Sequence, residues 1–303
     1  MIGKAGHTLP PVSALLSSNP CIFCIFYSPV LWQADFYRRP LQTDAGEVLW
    51  ELIVCDPTGA FSACIDCPQS QATVGWLAAQ FRRLQAEGTP ERIQVFRPQS
   101  LGLMEAAARA VGFTVEPTRH APMLKHLLLR RAAYYPNLPG YTGETYDPLA
   151  IDAPPPVPVP EAIWGDRWRF AALAAGDLEI LYGDRPIPIC STPDRLLPIN
   201  LGLASTQPVP GVIIDGGRQA MRLARWLQEV RPALLSYVPG TPDGLILEAG
   251  LSDRWILSTF HDADVAAAAR LFQQRQRDAN GLHFLLVQPD DTGVTYSGFW
   301  LLG

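Results

Sequence analysis

Leu31-Trp-Gln-Ala-Asp-Phe-Tyr-Arg-Arg-Pro-Leu41 decides the reading of the first half of the chain. Its side chains alternate: Trp32, Ala34, Phe36 and Arg38 face one way, and Gln33, Asp35, Tyr37 and Arg39 the other, the two-residue period of a β-strand. Asp44-Ala-Gly46 supplies turn residues, Val48–Cys55 (VLWELIVC) reads as a second strand, and Asp56-Pro-Thr-Gly59 closes it. Phe61–Cys67 is a third strand, so the stretch predicts an antiparallel meander. Helical spacing follows over 70–87, with Val74, Leu77, Ala78, Phe81 and Leu84 on one face and Gly88 as the stop. A short apolar strand at 92–96, a helix at 101–111, a strand at 113–117 and a helix at 122–135 complete β-β-β-α-β-α-β-α. A meander followed by α/β crossovers predicts a ribonuclease-H-like domain over 31–135.

Beyond it, residues 136–165 read as a linker that contains Ala153-Pro-Pro-Pro-Val-Pro-Val-Pro160, a semi-rigid polyproline spacer. Residues 166–303 predict a second α+β domain with a mainly antiparallel sheet. Its expected elements are paired strands around Gly176-Asp177, a strand at 211–215, a helix at 218–230 and strands at 234–238, 244–249 and 254–259. A helix over 262–280, capped by Asp262 and stopped by Gly281, and strands at 283–288 and 295–302 finish the chain. The proline-rich stretch 186–210 is expected to be irregular. The 303 residues are enough for two cores, and a composition of 48% apolar and 17% charged residues excludes a disordered chain. The fold class expected is therefore α+β (mixed α/β) in two domains. No apolar run reaches the ~20 residues a membrane span needs, which predicts a soluble body.

The first 30 residues carry one early lysine, a proline-interrupted apolar tract and no acid, unlike a signal or transit peptide. Val30 can be encoded by GTG, a bacterial start codon, so 1–30 is expected to be a tail from too early a start. Two Cys-x-x-Cys pairs, Cys21/Cys24 and Cys64/Cys67, have the spacing of half zinc sites. The first lies in an apolar tract and the second in a strand, so the six cysteines read as small apolar side chains and no metal is expected.

The formal net charge of −5 argues against coating nucleic acid by bulk electrostatics. Only Lys4 and Lys125 are lysines against 22 arginines, a bias that fits bidentate phosphate contacts as well as GC-rich codons. Enzyme chemistry is hard to place. A ribonuclease-H-like nuclease needs about four carboxylates around two Mg²⁺ ions. Asp35 occupies the first such position, the first helix offers none until Glu87, and the fourth strand ends in Arg97. Nucleophile elbows, phosphate loops and zinc-protease motifs are absent, and the histidines are scattered. No catalytic residue and no cofactor is expected.

Single-stranded RNA is held by aromatic rings and arginines. The polar face Gln33, Asp35, Tyr37 and Arg39, together with Arg38, is one candidate surface; the alternative is a half-exposed strand whose charges pair with neighbours. Arg97-Pro98-Gln99, at the C-terminal end of a strand, is a second candidate or an ordinary turn. Arg92, Arg97, Arg109, Arg119, Lys125, Arg130 and Arg131 stand against Glu105 and Glu116, a local excess of five positive charges. That is an electrostatic footprint or a solvated helix face. Arg119, Lys125, Arg130 and Arg131 join the candidates on this ground.

The opening block 31–41, Leu49-Trp-Glu-Leu-Ile-Val-Cys-Asp-Pro-Thr-Gly59 and Val95-Phe-Arg-Pro-Gln99 resemble motifs of one family of cyanobacterial and chloroplast proteins. So do Ser252-Asp-Arg-Trp-Ile-Leu257, Gly281-Leu-His-Phe-Leu285 with Val287-Gln288, and Gly298-Phe-Trp-Leu-Leu302. The best-known members are translation factors that bind the A/U-rich leader RNA of a photosystem I reaction-centre message. Trp32, Trp50, Asp56, Phe96, Pro98, Asp253, Arg254, Trp255, His283, Phe299, Trp300, Leu301 and Leu302 carry the resemblance. Gly303 extends past the family's usual Trp-Leu-Leu ending, and 186–210 matches none of its motifs. The resemblance implies a non-catalytic factor that binds A/U-rich single-stranded RNA and supports translation or assembly of photosystem subunits. It also implies translation or assembly proteins as partners, and a bacterial cytoplasmic location at the thylakoid periphery. A photosystem-assembly scaffold without RNA binding, and a residual metal-dependent nuclease, are the competing expectations. Trp168, Trp226, Trp255 and the Trp300–Leu302 strand are expected in the second core.

Overall fold

A computed structural model describes residues 31–303. The expected tail and the Cys21/Cys24 pair lie outside the described residues.

The first domain builds outward from β1 (Leu31–Gln42), which pairs antiparallel with β2 (Val48–Cys55); β2 in turn pairs antiparallel with β3 (Ser62–Pro68). On the other side β1 runs parallel to β4 (Arg92–Val95), which runs parallel to β5 (Thr114–Pro117). The sheet order β3-β2-β1-β4-β5 is the ribonuclease-H-like order expected of a meander followed by two crossovers.

Helices α1 (Val74–Leu84), α2 (Pro98–Arg109) and α3 (Pro122–Tyr134) cover both faces of this sheet. Thr73 caps α1 by accepting from the Trp76 amide, and Pro98 opens α2 where its missing N–H costs nothing. Trp32, Ala34 and Phe36 pack with Leu77, Phe81 and Met104 on one face. Ile53, Cys55 and Phe96 pack with Leu124 and Leu128 of α3 on the other.

Part of the expected linker is built into the domains. Segment 140–150 folds back over the first domain, where the Gln42 amide donates to the Gly140 carbonyl and the Thr142 amide to that of Pro40. Further along, β6 (Val157–Pro158) adds an edge to a second sheet by pairing with β12 (Asp253–Phe260).

The second domain has two sheets rather than the single one expected. One is β10 (Pro232–Val238), β11 (Asp243–Ala249), β12 and β6, a meander plus that edge. The other has the order β7-β9-β13-β14-β8, from β7 (Arg167–Ala174), β8 (Ile189–Ser191), β9 (Pro208–Asp215), β13 (His283–Gln288) and β14 (Gly298–Leu302). Four of the domain's seven strand pairings are antiparallel, so the sheets are mixed with an antiparallel majority. Between the sheets, Val212, Leu245, Leu247, Leu285 and Trp300 pack with α5 (Ala220–Val230) and Phe272 of α6 (Ala263–Asp278).

The paired strands expected around Gly176-Asp177 are instead β7 followed by the helix α4 (Ala175–Asp184). Leu178, Leu181 and Tyr182, spaced three and four apart, pack with Phe299 and Leu301 on the outer face of the five-stranded sheet. The short apolar run was open to either period. Trp168, Trp226 and Trp255 pack against the second core, and β14 is buried throughout, as expected. His283 is fully buried; its Nε2 accepts from the Leu235 amide at 2.9 Å, tying β13 to the meander. Burial pushes its imidazole down to about 4.

Candidate nucleic-acid interface

The polar face of β1 is not a surface. Gln33, Asp35 and Arg39 are buried with Arg97, because α3 and segment 140–150 cover the side of the sheet opposite α1 and α2. Each buried group has partners, as burial requires. The Gln33 amide nitrogen donates to Gln94, and its oxygen accepts from the Leu124 amide in the first turn of α3, which lacks a cap of its own. Both oxygens of Asp35 are taken: Arg97 Nε donates to one at 2.8 Å, Arg39 Nη2 to the other at 2.9 Å.

Arg97 uses its remaining donors on the carbonyls of Pro148 and Ala150, both at 2.7 Å, and lies over the Tyr37 ring at 4.3 Å. It clamps the returning segment onto the sheet. Buried Glu51 holds the rest of the network. Arg131 donates to one of its oxygens and Tyr135 to the other, each at 2.7 Å, with Arg39 Nε 3.3 Å away.

Gln33, Asp35, Arg39 and Arg97 were expected to meet RNA, and that expectation is corrected here: they are interior, bonded to neighbouring protein groups and out of a polymer's reach. Arg131 is committed to Glu51 at the rim of the same network. Half-buried Tyr37 supports Arg97, whereas Arg38, Gln99 and Arg130 are exposed on β1, α2 and α3. Of the alternative reading of β1, a half-exposed strand whose charges pair with neighbours, the pairing is seen but the half-exposure is not: most of the strand is buried. Alternation says that two faces differ, not that the polar one is wet.

Arg119 and Lys125 lie elsewhere, in a cleft of about 550 Å³ between the two domains. One wall is the connection from β5 to α3, with Glu116, Thr118, Arg119, His120 and Lys125. The other is the turn after β8, with Ser191, Pro193 and Arg195, and the turn from α5 into β10, with Arg231. Leu196, Leu234, Leu301 and Leu302 form an apolar floor. Five cationic-type side chains thus face a space in which Glu116 is the single acidic side chain among the described lining residues.

Arg119 is the tie between the walls: its guanidinium donates to Glu248 at 2.7 Å and to the carbonyls of Gly250 and Ala249. Its own carbonyl accepts from Lys125 Nζ at 2.7 Å. Among the described residues no carboxylate pairs with Lys125, Arg195 or Arg231. Partial burial holds Lys125 below the ordinary lysine range, and Arg119 and Arg195 add repulsion. Burial likewise lowers Arg195, and burial with Arg195 and Lys125 lowers His120. Like charges crowded above an apolar floor form a site electrostatically complementary to an anion.

Sequence reasoning found Arg119 and Lys125 through the local charge excess and missed His120, Arg195 and Arg231. His120 read as an isolated histidine, and Arg195 sits in the stretch that matched no motif. Arg231 follows a helix in the left-handed conformation, with φ of 58°. No periodicity marks any of the three; only the tertiary fold collects them.

The motif residues are mostly structural. Trp32, Phe96, His283, Phe299, Trp300, Leu301 and Leu302 are buried, although the last two also reach the cleft floor. Trp50 packs edge-on with Tyr37 and tilted against Phe36; Asp56 closes its turn by accepting from the Phe61 amide at 2.9 Å. Pro98 starts α2, and Asp253-Arg254-Trp255 opens β12, where Trp255 meets Trp226 at 5.0 Å.

Comparison with known proteins agrees with this two-part build. Residues 31–131 match the model described as RNA-binding protein Tab2/Atab2 N terminal, and 146–303 match RNA-binding protein Tab2/Atab2, C-terminal domain. The chain is 29% identical over 278 residues to the protein TAB2 homolog, chloroplastic, of Zea mays, covering 89% of this chain and 70% of that one. It is 26% identical to the Arabidopsis thaliana protein of the same description, covering 89% and 74%. Among solved structures, the catalytic core domain of BIV integrase matches 37% of this chain and 75% of its own at 15% identity. The TM-score of 0.25 is too low to bear on the fold. With both family models matched in chain order and over more than half its length, the chain belongs to the Tab2/Atab2 family of RNA-binding proteins.

Proposed function

We propose that this protein binds A/U-rich single-stranded RNA in the cleft between its two domains and thereby supports translation or assembly of photosystem subunits. The observation that carries the reading is the lining of that cleft: His120 and Lys125 from one domain face Arg195 and Arg231 from the other across about 550 Å³, with Glu116 the one acidic side chain among the described lining residues. A groove of that size and charge fits a phosphate backbone. The message class comes from the family resemblance and the chloroplast relatives.

The role proposed is non-catalytic. Asp35, where a nuclease of this topology would begin its metal site, gives both oxygens to guanidiniums. The cytoplasm, at the thylakoid periphery, is the proposed location; no helix among the described residues is long and apolar enough to cross a membrane. The scaffold reading needs an exposed apolar patch on the second domain. There the large exposed apolar side chains, such as Ile180, Ile199 and Leu271, lie on separate elements.

Fluorescence anisotropy with labelled A/U-rich and G/C-rich single strands of equal length tests the reading, with Mg²⁺ included in one arm. The expected result is tighter binding of the A/U-rich strand, weakening with salt, and an RNA that stays intact. Absence of binding at low salt, or Mg²⁺-dependent cleavage lost in Asp35→Asn, would refute it.

A further inference from the structure

Rings and hydrogen-bonding side chains are what a protein uses to choose among unpaired bases. Bases stack on Phe, Tyr, Trp or His, and their edges are read by amides, carboxylates and hydroxyls. Among the described residues no Phe, Tyr or Trp and no Asn or Gln lines the cleft; His120 is its one ring, Thr118, Ser191 and Glu116 are its hydroxyls and carboxylate, and its floor is aliphatic. Trp32, Phe36 and Phe96 are buried in the first domain, and Tyr37, the ring on the candidate face of β1, is covered by Arg97. The cleft is rich instead in point charges without carboxylate partners, presented from both walls.

From this we infer that the cleft recognises the sugar–phosphate backbone alone, and that its contacts contribute equally to binding whatever the base. This rests on the proposed RNA-binding reading of the same site and deepens it: a preference for A/U-rich strands arises outside the cleft, or from their reluctance to pair with themselves. Lys125, Arg195 and Arg231 are the phosphate ligands, and His120 is a fourth when protonated. Arg119, pinned by Glu248 and two carbonyls, holds the walls together rather than binding the strand.

The magnitude follows from counterion release. Each single-strand phosphate neutralised contributes about 0.7 to the slope of log affinity on log salt, or about 0.7 of a decade at 0.1 M salt. Removing two cations therefore weakens binding about 25-fold. The test measures dissociation constants of oligo(U), oligo(A) and oligo(C) of one length at 0.1 M salt, for the full chain and for its Lys125→Ala/Arg195→Ala variant. Thermal unfolding checks that the variant is folded, and inorganic tripolyphosphate serves as a base-free competitor.

The expected result is one common loss, about 25-fold, for all three strands, and displacement of all three from the parent at the same tripolyphosphate concentration. Unequal losses, differing by more than about threefold between bases, overturn base-independence while leaving the cleft as the RNA site. Binding by a folded variant that equals the parent's for every strand overturns the proposed site itself. Should the double alanine variant unfold, Lys125→Gln/Arg195→Gln and the competition arm give the same decision.

Discussion

Replacing Arg97 by methionine separates a buried structural arginine from an RNA contact. The substitution keeps an unbranched side chain of similar length and deletes every donor. Asp35 then loses its 2.8 Å partner while fully buried, though Arg39 still holds its other oxygen. Removing one member of a buried ion pair costs about 3–5 kcal/mol, and the remaining arginine argues for the lower end. The Pro148 and Ala150 carbonyls also lose their donor, at about 1 kcal/mol each where water cannot replace it. The total, about 5 kcal/mol, is a large share of the ~5–15 kcal/mol that typically holds a protein folded. With a urea dependence of about 2 kcal/mol per molar, the midpoint falls by about 2.5 M. Urea unfolding of the parent, Arg97→Met, Asp35→Leu and the double variant forms the assay. The double variant, with no orphaned carboxylate, is expected to be more stable than the sum of the single losses by about 2 kcal/mol or more. RNA affinity below the transition is expected to match the parent's. An Arg97→Met protein that unfolds at the parent's midpoint yet loses RNA binding would refute the reasoning.

Two further outcomes follow from particular groups. His283 is neutral when folded, at about 4, against an ordinary value of about 6.5. Its stabilising contribution is full above pH 6.5 and is lost as pH falls toward 4, by about 3 kcal/mol in all. Denaturation between pH 7 and 4 should show that loss, and His283→Gln should flatten this part of the profile. Glu248→Gln removes the negative charge 2.7 Å from Arg119 while leaving the carbonyl contacts. RNA affinity at 0.1 M salt should rise, by up to about fivefold if one more cation becomes available; a fall would assign Glu248 a different part.

Much of the fold is legible in the sequence because burial imposes periodicity. Trp32, Ala34 and Phe36 alternate, Leu77, Phe81 and Leu84 recur at helical spacing, and Gly88 and Gly281 stop helices where expected. What the sequence hides is partnership. Asp35, Arg39 and Arg97 look solvated because they are charged, yet three guanidiniums pair with two carboxylates at non-adjacent positions inside the domain. The cleft is illegible for a related reason. Lys125, Arg195 and Arg231 are separated by long stretches of chain, and each is locally unremarkable until β14 and β10 bring the second domain against the turn before α3. Segment 175–184 shows the remaining ambiguity, a short apolar run that either period could accommodate.

The salt dependence of RNA affinity tests the central claim most directly. For an A/U-rich single strand titrated between 0.05 and 0.3 M salt, three cleft cations predict a slope of about −2 in log affinity on log salt. Removing Arg195 alone should bring it to about −1.4. A folded Arg195→Ala protein with the parent's slope and affinity would contradict the account.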